Sequence, residues 1–342
     1  MPAKMTLRRT RHLAVLGMAG AAIPLLAGCR PWPAAPTTPA EKTERSTNLY
    51  VDGALAYQEG DKERALSALQ NALQDNPDLI MARFLLASLS RDKGDFEAAA
   101  ENYKKVVDLD PFSYTNHYNL GLMYHLLAKL QEAAASYLEA IRLNPVDAKS
   151  NMNLGLVYTA LGKPDKGLPY AQKAVEVEPR SADAQSNLAV VLDSLGLFPE
   201  AERHYLTALE LDSNRPETAI NLAGNLVSQK RYKDAIAAYE QILRTRDNSL
   251  VRQRLGYALL QAGRMDEAIR EFETALKQNS KNYQAHNGLG DTMIQQYRAS
   301  AMLDEKKRSA AIGHWKTSLE INPEQARVQA MLKEYTNKAL FP

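Results

Sequence analysis

From residue 46 onward, apolar positions recur in short stripes of helical period, broken at regular intervals by turn residues. The stripes come in pairs, and a glycine-containing turn separates the members of most pairs: "QEGD", "DKGD", "ALGKP", "SLGL" and "QAGR". The pairs themselves repeat. Pro77, Pro111, Pro145 and Pro179 stand 34 residues apart. Aligned on them, a small residue falls at Gly53, Ala87, Gly121, Gly155, Ala189, Ala223, Gly256 and Gly290. A second follows twelve later at Ala65, Ala99, Ala133, Gly167, Ala201, Ala235 and Ala268. Four further on, a larger residue stands at Leu69, Tyr103, Tyr137, Tyr205, Tyr239 and Phe272. Small residues let two antiparallel helices approach closely, and the large ring fills the gap beside them. Proline after the second helix stops its continuation. One such hairpin cannot bury both of its faces, so the pattern predicts hairpins stacked into a solenoid.

These positions resemble the signature of the tetratricopeptide repeat, although its first-helix tryptophan is missing from every unit. The resemblance implies an all-α fold: a right-handed α-solenoid of about eight helix-turn-helix repeats with a C-terminal capping helix. The units are set at 46–79, 80–113, 114–147, 148–181, 182–215, 216–248, 249–282 and 283–325, and the cap at 326–342. The sixth unit is one residue short near "RTRDNS". The eighth carries about nine extra residues around "QQYRASAMLDEKKR", read as a longer first helix or a charged, solvated loop. The cap "QARVQAMLKEYTNKAL" is amphipathic and is expected to cover the last unit's apolar face.

One polar residue interrupts the stripes at a fixed place. Asn119, Asn153, Asn187 and Asn221 each stand sixth in units three to six. Asparagine is a poor helix former, because its amide competes for backbone hydrogen bonds. In the family this position faces the concave groove, so the resemblance implies a ladder of four amides. A carboxamide both donates and accepts, so such a ladder suits an extended main chain of little sequence demand. Expected neighbours in the groove are Tyr118, Leu122, Met152, Leu156, Val190, His125, Asp183, Asp193 and Glu217, with apolar groups early and acidic groups later. That order suits a peptide carrying a basic patch. Two readings of the asparagines stand: they hold a ligand, or they make local bonds between helices. The two-carboxylate clamp of chaperone-binding relatives is absent.

The first 28 residues carry Lys4, Arg8, Arg9 and Arg11, no acidic residue, and then sixteen uncharged residues, "LAVLGMAGAAIPLLAG". This is the pattern of a secretory signal and is short for a membrane span. Leu26, Ala27, Gly28 and Cys29 resemble the lipobox of bacterial lipoprotein precursors. The resemblance implies that Cys29 is acylated and becomes the mature N-terminus, anchoring the chain to a membrane. Arg30, rather than aspartate, points to the outer membrane facing the periplasm. Residues 29–45, rich in proline, are read as a tether.

The net charge of +2 shifts once the leader is set aside: without its four cations, 38 basic residues face 40 acidic ones. That balance offers no electrostatic case for nucleic acid. A single cysteine excludes an internal disulfide framework. The six histidines form no metal-binding motif, no phosphate loop is present, and the repeats leave no length for a catalytic domain. No enzyme, cofactor or metal is expected. The function implied is a membrane-anchored scaffold that binds peptides or proteins in its groove and assists assembly of an envelope complex. The alternative is a piloting lipoprotein for a pilus, secretion or polysaccharide-export machine, docking through its convex face or C-terminal helix.

Overall fold

The computed structural model describes residues 38–337. The leader, the lipobox at Cys29 and the last five residues of the cap lie outside them. The described residues form seventeen α-helices and no strand. In chain order the hairpins are α1 (Pro39–Gln58) with α2 (Lys62–Asp75), α3 (Ile80–Lys93) with α4 (Phe96–Leu109), and α5 (Tyr114–Leu126) with α6 (Leu130–Leu143). Next come α7 (Ala148–Ala160) with α8 (Pro164–Val177), α9 (Ala182–Ser194) with α10 (Phe198–Leu211), and α11 (Pro216–Ser228) with α12 (Tyr232–Leu243). The last are α13 (Ser249–Gln261) with α14 (Met265–Gln278) and α15 (Tyr283–Ala299) with α16 (Glu305–Ile321); α17 (Ala326–Thr336) ends the array. Each helix packs on the next in sequence, and most first helices also meet the first helix of the following hairpin, α7 and α9 most extensively. The result is a helical-repeat solenoid.

Local chemistry sets these boundaries. Residues before the prolines, Asn76, Asp110 and Asn144, leave the helical region, as the proline ring demands of its predecessor. Asp61, Asp95, Asp147, Ser181 and Asn248 cap the following helices by accepting a backbone N–H. Inside the hairpins, five turns place a glycine in the left-handed region: Gly60, Gly94, Gly162, Gly196 and Gly263. The third and sixth use Ala128 and Lys230 there instead, at φ 55° and 62°.

The core runs along the seam between first and second helices. Tyr103, Tyr137, Tyr205, Tyr239, Phe272 and Trp315 are all buried. A small residue on the first helix receives each ring: a Cβ added at Gly121 would lie 2.9 Å from Tyr137, and one at Gly256 2.8 Å from Phe272. The fourth unit lacks the ring. There Ala171 and Gly167 let the backbones themselves meet, and a Cβ on Gly167 would lie 2.6 Å from the carbonyl oxygen of Gly155.

Two expectations change. Residues 39–45, read as tether, are the first turns of α1. Thr38 accepts from the Glu41 amide while the Glu41 carboxylate accepts from the Thr38 amide, and Pro39 opens the helix. This capping box outweighs the proline-rich composition around it. The extra residues of the eighth unit lengthen both of its helices to 17 residues and end in the turn that joins them. They are not wholly solvated, because Tyr297 is buried with Trp315, Val328 and Tyr335. Trp315 Nε1 donates to Asp291, which also takes a 2.9 Å ion pair from Arg327 of α17. The cap therefore covers the final seam.

Candidate ligand groove

The first helices stand side by side, so a residue at one position of each lies on one continuous face. Asn119, Asn153, Asn187 and Asn221 occupy that shared position on α5, α7, α9 and α11. Their surroundings differ from those of the other buried and half-buried asparagines in first helices. Asn116 and Asn151 donate to turn carbonyls, and Asn225 donates to Asp193 Oδ1 at 2.8 Å and to the Phe198 carbonyl at 3.1 Å. Asn282 caps α15, and Asn287 donates to Gln325. Among the described residues, no protein hydrogen bond engages the side-chain amides of Asn119, Asn187 or Asn221, and none of their atoms is sealed from solvent without a partner. Asn153 lies against the Tyr118 hydroxyl.

Tyr118, Asn119 and Leu122 come together in a cleft of about 460 Å³, with Tyr114 and Lys149 at its edge. Burial raises the pKa of the Tyr118 phenol, so it stays a hydrogen-bond donor at neutral pH. Beside this group on α5, His125 is half-buried and held neutral, since burial lowers its pKa. Met152, Leu156, Asn187 and Val190 are half-buried on α7 and α9. A second cleft of about 430 Å³ takes in Glu217 and Asn221 with Arg246 and Arg254.

The acidic half of the groove is not as the sequence suggests. Asp183 forms an ion pair with Arg215, and Glu217 one of 2.6 Å with Arg246. Asp193 is half-buried, takes the Asn225 bond and faces the Tyr205 hydroxyl; burial raises its carboxyl pKa above the ordinary value. An expectation of free acidic groups waiting for a basic peptide is therefore corrected: each of the three already has a partner. The partners lie 32, 29 and 32 residues further along the chain, Arg215 and Arg246 in the connections that lead into α11 and α13 and Asn225 on α11 itself.

Three features escape the sequence reading. An apolar cleft of about 450 Å³ opens between the first two units, walled by Tyr50, Tyr57, Met81, Phe84 and Leu85. Its signal was the aromatic fifth position, Tyr50, Phe84 and Tyr118, continuing back from the asparagine units. The second is Asn225 as the partner of Asp193, 32 residues away with no sequence signal linking them. The third is a device at the fourth position of the first helices. Arg83, Asn151 and Gln185 donate to the carbonyls of Pro77, Pro145 and Pro179, six residues earlier. His117 meets the Pro111 carbonyl at 2.9 Å, and Gln329 of the cap donates to Pro323 at 2.8 Å. These bonds satisfy turn carbonyls that the helix cannot reach. A polar residue recurring at one register was the available clue.

Among the described residues no cluster of three or more His, Cys, Asp or Glu could hold a metal ion, and no helix is long and apolar enough to cross a membrane. Sequence profiles described as tetratricopeptide repeat match residues 52–114, 84–148, 147–214 and 180–248, and one described as TPR repeat matches 256–296. The chain is a tetratricopeptide-repeat protein. Such repeats are protein-interaction scaffolds. No curated protein matches it. Solved structures agree with the fold. A tetratricopeptide repeat protein from Parabacteroides merdae superposes with TM-score 0.61 at 18% identity, over 73% of this chain and 99% of that one. The APC/C hetero-tetramer Cut9–Hcn1 gives 0.59 at 16%, over 80% and 52%. PilF of Pseudomonas aeruginosa gives 0.51 at 21%, over 61% and 96%. At these identities the likeness concerns the repeat architecture of the tetratricopeptide-repeat fold alone.

Proposed function

We propose that this tetratricopeptide-repeat protein binds an extended polypeptide segment along the first-helix face of units three to six. One contrast carries the reading. Apart from Asn48 of α1, which is exposed to solvent, asparagines elsewhere in the first helices are engaged within the protein, whereas the half-buried or buried Asn119, Asn187 and Asn221 keep their amides without a protein partner. A helix gains nothing from asparagine at such a site; a main chain laid across it gains a donor and an acceptor from every unit. Each new bond nets about 0.5–1.5 kcal/mol, and ordering the peptide offsets much of that. Selectivity then comes from the side-chain clefts, at Tyr118 and Leu122 and at Tyr50, Met81 and Phe84. In the wider reading the scaffold is anchored by lipid on Cys29, faces the periplasm from the outer membrane, and holds a partner during assembly of an envelope complex. Support for the anchor is the "LLAGC" sequence itself.

The test is crosslinking capture from membranes with the wild-type chain and a variant carrying Ala at all four asparagines. Loss of partner capture with unchanged helicity is expected. Undiminished capture by a folded variant would refute groove binding and favour docking through the convex face or α17. For the anchor, Cys29→Ser is expected to move the protein into the soluble fraction after a high-salt wash.

A further inference from the structure

Among the described residues, the groove contains one half-buried cation that forms no ion pair. Arg91, Arg215 and Arg246 pair with Asp92, Asp183 and Glu217. Arg254 of α13 stands at the register of the asparagines, one unit beyond Asn221, and forms no ion pair. It lines the 430 Å³ cleft together with Asn221. Gly224 makes room for it. Where the neighbouring first helices carry Leu122, Leu156, Val190 and Tyr257, α11 has no side chain. A Cβ there would lie 3.5 Å from Arg254 Nη1 and 3.5 Å from the Tyr239 hydroxyl oxygen. The guanidinium is thus laid beside the bare backbone of α11 and donates to the hydroxyl of buried Tyr239, and with five N–H donors in all it has others to offer in the cleft it lines. The Glu217 carboxylate in the same cleft is taken by Arg246, so the cleft keeps a net positive charge.

A partly desolvated cation without a counter-charge is unfavourable for the free protein and becomes favourable when a ligand supplies the anion. We infer that Arg254, with the Asn221 amide beside it, binds the side-chain carboxylate of an Asp or Glu in the polypeptide held by the groove. This rests on the peptide-binding reading above, and it reverses the charge that the sequence suggested for the ligand.

The experiment is an array of randomised decapeptides, C-terminally attached so that no free terminal carboxylate is present, probed with the full chain and with Arg254→Gln and Arg254→Lys. Bound wild-type sequences are expected to be enriched in Asp or Glu at one place in the register. Arg254→Gln should bind those acidic peptides about tenfold more weakly than wild type, with little change for peptides lacking an acid, and Arg254→Lys should keep part of the preference. Raising salt on the wild type alone should weaken the acidic set selectively. An array that captures nothing would overturn the peptide-binding reading. An array that captures peptides without acidic preference, or whose preference survives in a folded Arg254→Gln, would overturn the carboxylate site and leave the groove standing.

Discussion

Two buried tyrosines at the same place in adjacent units should respond oppositely to the same substitution. Tyr103 and Tyr137 are both fully buried. The Tyr103 hydroxyl lies 2.9 Å from the Ser88 hydroxyl, a partner in its own unit. In the next unit Leu122 replaces that serine, and the Tyr137 hydroxyl has no hydrogen-bond partner. The Tyr137 ring cannot slide to find one, because it is seated on Gly121. Burial raises its phenol pKa far above the ordinary value, so the group stays protonated. A buried hydroxyl left unsatisfied costs about 1–3 kcal/mol, whereas a satisfied one contributes about 1 kcal/mol. Removing the oxygen also leaves a small void, which costs part of that gain. Tyr137→Phe is therefore expected to stabilise the chain by about 1 kcal/mol. Tyr103→Phe, which orphans Ser88, should destabilise it by about 1–2 kcal/mol. Urea unfolding followed by far-ultraviolet circular dichroism reads both. Because repeat arrays open locally, amide exchange in α5 and α6 should be followed alongside it. A Tyr137→Phe variant less stable than wild type would refute the reasoning, since it would mean that the hydroxyl is bonded.

Four further outcomes are expected. Gly167→Ala drives its methyl into the Gly155 carbonyl and should cost about 2 kcal/mol or more in thermal unfolding. Gly60→Ala, with open space around it and only a positive φ to strain, should cost about 1 kcal/mol. Ala128→Gly and Lys230→Gly relieve left-handed strain of about 1–2 kcal/mol and give back about 0.5–1 kcal/mol in unfolded-state entropy; a small rise in melting temperature is expected for each. Burial lowers the pKa of His125, His204 and His314, the last also through His286, whose Nδ1 lies 3.1 Å from its own. The unfolded chain therefore binds more protons, so stability should be complete above about pH 6.5 and fall as the pH drops below it. His314→Gln should flatten that slope between pH 7.5 and 5; an unchanged slope would remove His314 from the account.

The stacked helical fold was legible because its determinants are local and repeated. Turn glycines, small seam residues, large rings and terminal prolines each act within about 30 residues, and a 34-residue period writes them down several times over. The start of α1 was equally local, since Thr38, Pro39 and Glu41 spell a capping box, and it was missed by weighing composition above spacing. The groove's chemistry is another matter. Asp183, Asp193 and Glu217 look alike in the sequence as acids at groove positions. Their partners, Arg215, Asn225 and Arg246, lie 32, 32 and 29 residues further along the chain, and stacking brings them together. The same holds for the amides: Asn151 and Asn153 differ by two positions, yet one is held by the Pro145 carbonyl and the other faces Tyr118. Sequence by itself determined which residues share a face, because helical period and repeat length are one-dimensional. Which of those residues remain free to meet a ligand was decided by tertiary structure, because a side chain's partner is set by neighbours that only the packing of successive units supplies.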